Sequence, residues 1–307
     1  MVFPQLEVLS LMDVHFPDME AVLQNMNGML CPRLAKLYLH YNNGGFPLEY
    51  QYQLLMACPS LVAFHWTLPN GNEKHVFAGG FRDLCEFYHP ERYRETEELH
   101  IVGEMDDYAI ALAMNVMKGV KSLSLCVDNR IGIASLYAIR NMAANLRRFE
   151  SHSYLMTCAT IETILSSCPL LHTMIARTMS ALYATKEKRR EWICAPSLKV
   201  LCLSFVFESH EAHLQDEMYE KLARLTQLEH LIMNEPCDDR PGRFGLRLRL
   251  DQGLGRLSTL KNLTFLSTLD DFSHPCRMQE LAWMGKHWPL LREYHCAPSG
   301  RSVIHNK

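Results

Sequence analysis

A six-residue pattern, Leu-x-x-Leu-x-Leu, recurs along the whole chain and constrains its fold more than any other feature of the sequence. Eleven copies, some with other apolar residues or Thr and Ser in place of leucine, begin about 24 to 35 residues apart. The copies are Leu6, Leu9, Leu11; Leu34, Leu37, Leu39; Leu61, Phe64, Trp66; Thr96, Leu99, Ile101; Val120, Leu123, Leu125; Leu146, Phe149, Ser151; Leu171, Met174, Ala176; Leu198, Leu201, Leu203; Leu228, Leu231, Met233; Leu260, Leu263, Phe265; and Leu291, Tyr294, Cys296. A pattern repeated at such a period predicts a stack of similar structural units.

Each copy predicts a short strand, and several of the segments between copies predict helices. In the Leu-x-Leu part of the pattern, apolar residues alternate with other residues, as they do in a strand with one buried face. Apolar residues recur at helical spacing between the fourth and fifth, the sixth and seventh, and the eighth and ninth copies. These stripes are Ile110, Ala113, Met114, Met117; Ile161, Ile164, Leu165, Cys168, Leu171; and Leu214, Met218, Leu222, Leu225.

Alternating strands and helices of this size predict an α/β leucine-rich-repeat solenoid. Each strand or helix is too small to bury its apolar face alone, whereas stacked neighbours close a shared core. The copy spacing is at, or just above, the 20–29-residue period of leucine-rich repeats. We therefore expect a single domain over residues 1–307, a curved horseshoe with a parallel sheet on its concave face and helices on its convex face.

A Cys-Pro pair precedes three of the copies. Cys31, Cys58 and Cys168 each lie three residues before the first apolar residue of a copy, and the proline that follows ends a helix. Ala195 and Trp288, each also followed by proline, take this position before two other copies. A metal or redox ligand could not be exchanged for alanine or tryptophan, so the pattern predicts buried cysteines that act as small apolar residues.

Composition excludes several classes of protein. The 307 residues are 48% hydrophobic and 21% charged, which is enough for a large core and unlike a disordered chain. The net charge of -3 gives no global attraction to nucleic acid or to anionic membranes. The longest apolar stretch, YAIALAMNVM, is half the length of a bilayer helix. The eleven cysteines are scattered and no signal peptide opens the chain, so we expect reduced thiols and a soluble protein of the cytoplasm or nucleus.

No motif of the chain predicts catalysis, a metal site or a cofactor. His210 and His213 of HEAH are three residues apart, whereas H-E-x-x-H zinc sites need four, so they predict an exposed helix start. The mixed charges of TKEKRRE, residues 185–191, predict an exposed loop. RPGRFGLRLRL lacks the Gly-Lys-Ser/Thr ending of a phosphate loop, and its alternation predicts a strand with Arg247 and Arg249 on a wet face. We expect a protein that is not an enzyme.

The predicted binding surface consists of the residues that lie between and after the strand leucines. Twelve residues are expected to line the concave face: Lys36, Tyr38, His40, His65, His100, Arg148, Glu150, His152, Arg177, His230, Asn234 and His295. This mixture of polar, aromatic and arginine side chains is typical of surfaces that bind proteins. Six of the twelve are histidines. We expect His40 and His65 to approach each other, and the other four to come from separated repeats and to hold no metal.

The longest interval between copies, residues 67–95, contains five aromatic residues. Its apolar content predicts an enlarged repeat whose aromatic side chains point into the core. A flap that folds over the solenoid is the alternative.

Four stretches of the chain carry a family resemblance. APSLKVLCLSFVF, LTQLEHLIMN, GLRLRLDQGLGRLSTLKNLTFL and AWMGKHWPLL, together with the C-P-x-L spacing, resemble fungal F-box-type leucine-rich-repeat proteins of the ribonuclease-inhibitor-like class. The resemblance covers nearly the whole chain and is firmest over residues 194–295. It implies that the solenoid captures a protein substrate and that an F-box bound to Skp1 brings the substrate to a cullin–RING ubiquitin ligase.

The start of the chain departs from that family plan. An F-box of roughly forty residues should precede the repeats, but Phe3-Pro4 leads directly into the first copy. We therefore expect an N-terminal cap or F-box to be missing, because a first repeat without a cap exposes a strand edge and apolar core. A leucine-rich-repeat scaffold or inhibitor outside ubiquitin chemistry is the alternative function, and a hydrolase built around the histidine-rich face is a third.

Overall fold

A computed structural model describes residues 4–12, 31–40, 54–55, 58, 60–67, 96–103, 107–117, 119–127, 131–153, 156–181, 191–211, 213–233, 243–268 and 276–296. The chain divides into two compact units. Unit 1 comprises Met1–Leu146 and Ser153–Leu155, and unit 2 comprises Arg147–His152 and Met156–Lys307. That both belong to one domain stays a prediction.

Unit 1 is an α/β unit built on a parallel sheet. Its strands are β1 (Val8–Met12), β2 (Lys36–His40), β3 (Ala63–Thr67), β4 (Glu98–Gly103) and β5 (Ser122–Val127), and its helices are α1 (Asp107–Val116) and α2 (Ile133–Met142). Each strand pairs in parallel with the next one along the chain. Five of the predicted strand segments therefore lie side by side in sequence order.

The register of unit 1 aligns the apolar residues of successive strands. Leu9, Leu37, Phe64, Leu99 and Leu123 are paired in one row, and Leu11, Leu39, Trp66, Ile101 and Leu125 in another. All of them are buried except the two leucines of β1, which are half-buried. Side chains alternate between the two faces of a strand, so the residues between these leucines lie on the opposite side of the sheet.

Asp107, the first residue of α1, caps the start of the next helix. Its carboxylate accepts hydrogen bonds from the amides of Gly132, Ala134 and Ser135, at 2.7, 2.9 and 3.0 Å. Burial alone would raise the pKa of Asp107, but hydrogen bonds from Ser135, Gly132 and Ala134 outweigh it and lower the pKa. These hydrogen bonds link the first residue of α1 to the N-terminus of α2.

Unit 2 is also α/β with a parallel sheet. Its strands are β6 (Arg148–Ser151), β7 (Thr173–Ser180), β8 (Val200–Glu208), β9 (His230–Met233), β10 (Arg243–Phe244), β11 (Phe265–Thr268) and β12 (Glu293–Cys296). Its helices are α3 (Cys158–Ser167), α4 (Leu214–Ala223) and α5 (Met278–His287), with 3-10 helices at Ser209–Glu211, Leu250–Gln252 and Leu254–Thr259. The parallel order is β6, β7, β8, β9, β11, β12, and β10 pairs antiparallel with β8.

The helical stripes that the sequence predicts are confirmed in both units. Every residue of the three stripes is buried, from Ile110 to Met117 in unit 1 and in the two stripes of unit 2. In unit 2, the buried Glu162 of α3 accepts a hydrogen bond of 3.0 Å from the indole of Trp192 and lies 3.4 Å from the ammonium of Lys221 on α4. This charged group therefore connects two helices and the turn that carries Trp192.

The tenth copy of the leucine pattern is three residues later than the sequence analysis placed it. β11 pairs Leu266 with Leu231, and the amide of Phe265 donates to the carbonyl of Glu229. The copy is therefore Leu263, Leu266 and Thr268, rather than Leu260, Leu263 and Phe265. The sequence KNLTFL allows both readings, because apolar residues occur at both spacings. Phe265 consequently lies on the face opposite the leucines.

The alternating segment around Arg247 is not the predicted strand with a wet face. Among residues 243–250, the part of this segment that the structure describes, only Arg243–Phe244 pairs as a strand, and Arg249 is 7% exposed. The amide of Arg247 donates to the side chain of Gln215, and its carbonyl accepts from the hydroxyl of Tyr219. Gln215 and Tyr219 therefore form hydrogen bonds with backbone groups that a neighbouring strand would otherwise have paired with.

The buried cysteines are confirmed. Cys31, Cys58 and Cys168 are fully buried, and burial raises the pKa of Cys58 and of Cys168 to about 12, which keeps both thiols protonated at neutral pH. One position is corrected: Cys194, rather than Ala195, is fully buried before β8. This turn has an extra residue: the carbonyl of Cys194 accepts from the amides of both Ser197 and Leu198, whereas the carbonyls of Cys31 and Cys168 accept from Leu34 and Leu171, three residues on.

Within the described part of the chain, no helix combines the length and the apolar character that crossing a membrane requires. Residues 68–95, which include most of the predicted enlarged repeat, lie outside the described residues, as do residues 185–190 of the predicted charged loop.

Candidate functional site

In unit 1, the structure brings three predicted binding residues into one row. The register pairs Tyr38 on β2 with His65 on β3, and His65 with His100 on β4. The ring centroids are 4.6 Å apart for Tyr38 and His65, and 5.1 Å apart for His65 and His100. These three side chains form what we call the tyrosine–histidine row, and Ser10 on β1 and Ser124 on β5 continue it in register.

The predicted approach of His40 to His65 holds, since His40 is close enough to lower the pKa of His65, but the two are not partners in the register. His40 is paired with Thr67, and its Nδ1 atom lies 3.2 Å from the Thr67 hydroxyl. His65 is instead in contact with His100, which comes from the neighbouring strand rather than from a separated repeat. The long interval between β3 and β4 in the sequence does not separate them in the sheet, because β4 pairs directly with β3.

The charges around His65 come from the strands on either side. β2 contributes Lys36, which is exposed, and His40, while β4 contributes Glu98 and His100. Burial lowers the pKa of His65; Glu98 opposes this effect, and His40 and Lys36 add to it. His65 is therefore neutral at neutral pH, and its ring is available as a hydrogen-bonding and stacking group.

In unit 2, three predicted residues form a closed cluster around a carboxylate. Glu150 accepts hydrogen bonds of 2.7 Å from both Arg148 and His152. Burial would raise the pKa of Glu150, but these two hydrogen bonds and the charges of Arg148 and His152 lower it. Each of these groups already has a partner within the protein.

A second group of unit 2 residues meets around an aromatic ring that the sequence analysis missed. Phe265 stacks on His230 with ring centroids 5.6 Å apart, and the ring of His295 lies edge-on at 5.0 Å. His295 also lies 3.6 Å from Glu293. Phe265 was missed because the tenth copy was placed three residues early, which assigned this side chain to the core.

The remaining predicted residues do not join these groups. Arg177 is half-buried where the register between β7 and β8 shifts. Asn234 lies outside the described residues. His210 and His213 are exposed just before α4, as predicted, but Glu211 between them is buried.

The described residues contain no group of three or more His, Cys, Asp or Glu side chains arranged to hold a metal ion. The arrangement in unit 1 is a row of rings in contact, with a lysine beside it, and that in unit 2 is an ion-paired cluster. The rings of unit 1 can bind another molecule through stacking and hydrogen bonds, whereas the groups of the unit 2 cluster are already bonded to one another.

Comparison of the sequence with protein-family models and with curated proteins gives no match.

Proposed function

We propose that this protein is a recognition module that binds another protein through the side of its parallel strands that lies opposite the leucines. The observation that carries this proposal is the tyrosine–histidine row, in which Tyr38, His65 and His100 are held in register on three neighbouring strands. Aromatic side chains fixed by a rigid sheet provide contact area at a small cost in conformational entropy.

The finer architecture that we propose is a leucine-rich-repeat solenoid. It is supported by the parallel order of the strands within each unit and by the alternation of buried leucines with partly exposed residues. In such a fold, the rows of exposed strand residues form the recognition surface.

A narrower proposal is that the chain is the substrate-binding region of an F-box-type ubiquitin ligase adaptor. It is supported by the resemblance of residues 194–295 to that class. The test is co-purification of Skp1 and a cullin with the longest natural form of the protein. Capture of other partners without Skp1 would favour a scaffold or inhibitor instead.

The test of protein recognition compares variants by quantitative affinity capture from the native cell extract. The variant Tyr38→Ala/His100→Ala removes two rings of the row, and Tyr137→Ala, an aromatic residue that is 62% exposed on α2, is the matched control. We expect at least one partner to bind both the native chain and the control. Its affinity for the double variant should be about tenfold lower or weaker still, since buried aromatic contacts dominate binding energy. An unchanged set of partners would contradict the proposal.

A further inference from the structure

We propose that the exposed side of β2, β3 and β4 binds an acidic segment of the partner protein, and that this binding strengthens as the pH falls. The inference rests on the proposed function and specifies the chemistry of the partner. It is carried by five side chains on one side of the sheet: Lys36, Tyr38, His40, His65 and His100.

The first argument is the balance of charges. The described residues of the three strands carry one lysine and one carboxylate, that of Glu98, on this side, together with three histidines that add positive charge when they take up protons. Lys36 forms no ion pair with any described residue. It is paired with Ala63, which in turn is paired with Glu98, so Lys36 and Glu98 are two strand spacings apart, roughly 10 Å. The lysine is thus left to bind a group from outside.

The second argument is the hydrogen-bonding capacity of the row. Lysine offers only donors, tyrosine offers a hydroxyl, and each neutral imidazole offers one N–H. Carboxylates are acceptors with several lone-pair positions and bind such donors strongly. An acidic side chain placed over Tyr38 and His65 can therefore use Lys36 as well, whereas a basic side chain would find a single carboxylate, that of Glu98, among the described residues of this side.

The third argument is the linkage between protons and binding. His65 lies between Lys36, Tyr38 and His40 on β2 and Glu98 and His100 on β4. Burial lowers its pKa, so the free protein holds it neutral at neutral pH. A bound carboxylate favours the charged imidazole, so binding takes up a proton and becomes tighter at lower pH.

The test uses two fluorescein-labelled synthetic peptides of equal length, one of alternating Glu and Ser and one of alternating Lys and Ser. Their binding to the full chain is measured by fluorescence anisotropy at pH 6, 7 and 8. We expect the acidic peptide to bind about three- to tenfold more tightly at pH 6 than at pH 8, and the basic peptide to bind more weakly at every pH.

Variants assign the effect to residues. His65→Gln should remove most of the pH dependence, and Lys36→Gln should weaken binding about threefold at each pH. His210→Gln, an exposed histidine of unit 2, is the control and should bind as the native chain does. Urea melts of each variant verify that it is folded.

Three results would overturn the inference: no binding of the acidic peptide up to millimolar concentration, preference for the basic peptide, or affinity that does not change with pH. None of these three results would contradict the proposed function if the capture experiment still shows a partner whose binding depends on Tyr38 and His100. Failure of the capture experiment would reject the proposed function itself.

Discussion

The exposed strand residues of unit 1 and those of unit 2 follow the same alternation but differ in whether they are already paired. In unit 1, Lys36 forms no ion pair among the described residues, and Tyr38 and His65 contact each other through their rings. In unit 2, Glu150 holds both Arg148 and His152 at 2.7 Å. A position on the polar side of a strand therefore does not by itself make a residue available to a partner. What matters is whether a neighbouring side chain of opposite charge, on the same strand or beside the next one, already pairs with it.

The two units also differ in how their rings are arranged. Tyr38, His65 and His100 follow one another in a continuous row, since each faces the next in register. In unit 2, His230 and His295 meet only through Phe265, and His295 is diagonal to it in the register. We infer that unit 1 supplies the contacts that bind a charged partner, whereas the polar and aromatic residues of unit 2 mainly contact one another.

The largest expected effect tests what the two units share, which is the buried leucine row. Leu37→Asp in unit 1 and Leu201→Asp in unit 2 each place an unpaired charge at a position that is fully buried. We expect each to lower the free energy of unfolding by about 3–5 kcal/mol in urea melts. Lys36→Ala, next to Leu37 but exposed, should leave the free energy of unfolding almost unchanged. Equal losses for the aspartate variants and Lys36→Ala would contradict the register that buries these leucines.

The next prediction concerns unit 2 alone. Gly253 has a φ of 109°, and a Cβ atom there would lie 2.7 Å from the ring of Tyr219, whose hydroxyl donates to the carbonyl of Arg247. We expect Gly253→Ala to cost about 1–3 kcal/mol, from backbone strain and the displaced ring. Gly255→Ala, where a Cβ would meet nothing within 4 Å, is the matched control. A similar urea midpoint for both variants would rule out the packing of Tyr219 against this turn.

A smaller effect is specific to unit 1. Asp107→Ala removes the acceptor for the first amides of α2 and should cost about 1 kcal/mol at neutral pH. Since the folded state lowers the pKa of Asp107, its contribution is fully present above its ordinary value of 3.8 and is lost as the pH falls through the lowered value. The difference between native chain and variant in urea melts should therefore shrink at acid pH. Tyr108→Ala, exposed beside it, is the control, and a difference that grows toward acid pH would contradict the capping role.

The smallest expected effect comes from removing the internal partner of two charged residues in unit 2. Glu150→Ala removes the carboxylate that accepts hydrogen bonds from both Arg148 and His152. Both side chains remain on the exposed side. The variant should therefore bind the acidic peptide about two- to threefold more tightly than the native chain does. Stability should change by less than about 1 kcal/mol, as expected for a partly exposed pair. Anisotropy at pH 6 measures the gain. Unchanged or weaker binding would show that internal pairing does not limit unit 2.

The sequence predicted the strands and helices well where periodicity is strong. Leu37 with Leu39 and Ile161 with Ile164 are buried as their spacing indicates, since alternation and helical stripes directly reflect which side faces a core. Cys168 was also placed correctly, because its position before proline tolerates different apolar residues.

Errors arose where the pattern allowed two readings or where tertiary contacts decide. KNLTFL fits two registers, and only the pairing of Leu266 with Leu231 selects one. Arg249 alternates with leucines in the sequence, but its surroundings bury it. The contact of His65 with His100 could have been predicted, because the two residues hold the same position in consecutive copies of the pattern.

The most direct test of the central claim is a histidine-ring NMR titration of the full chain with the acidic peptide, with His65→Gln and His152→Gln used to assign the signals. We predict that His65 titrates below the ordinary histidine pKa in the free protein, and that saturation with peptide raises its pKa while the signal of His152 stays unchanged. Shifts confined to His152 and other unit 2 histidines, or an unchanged His65, would contradict the account.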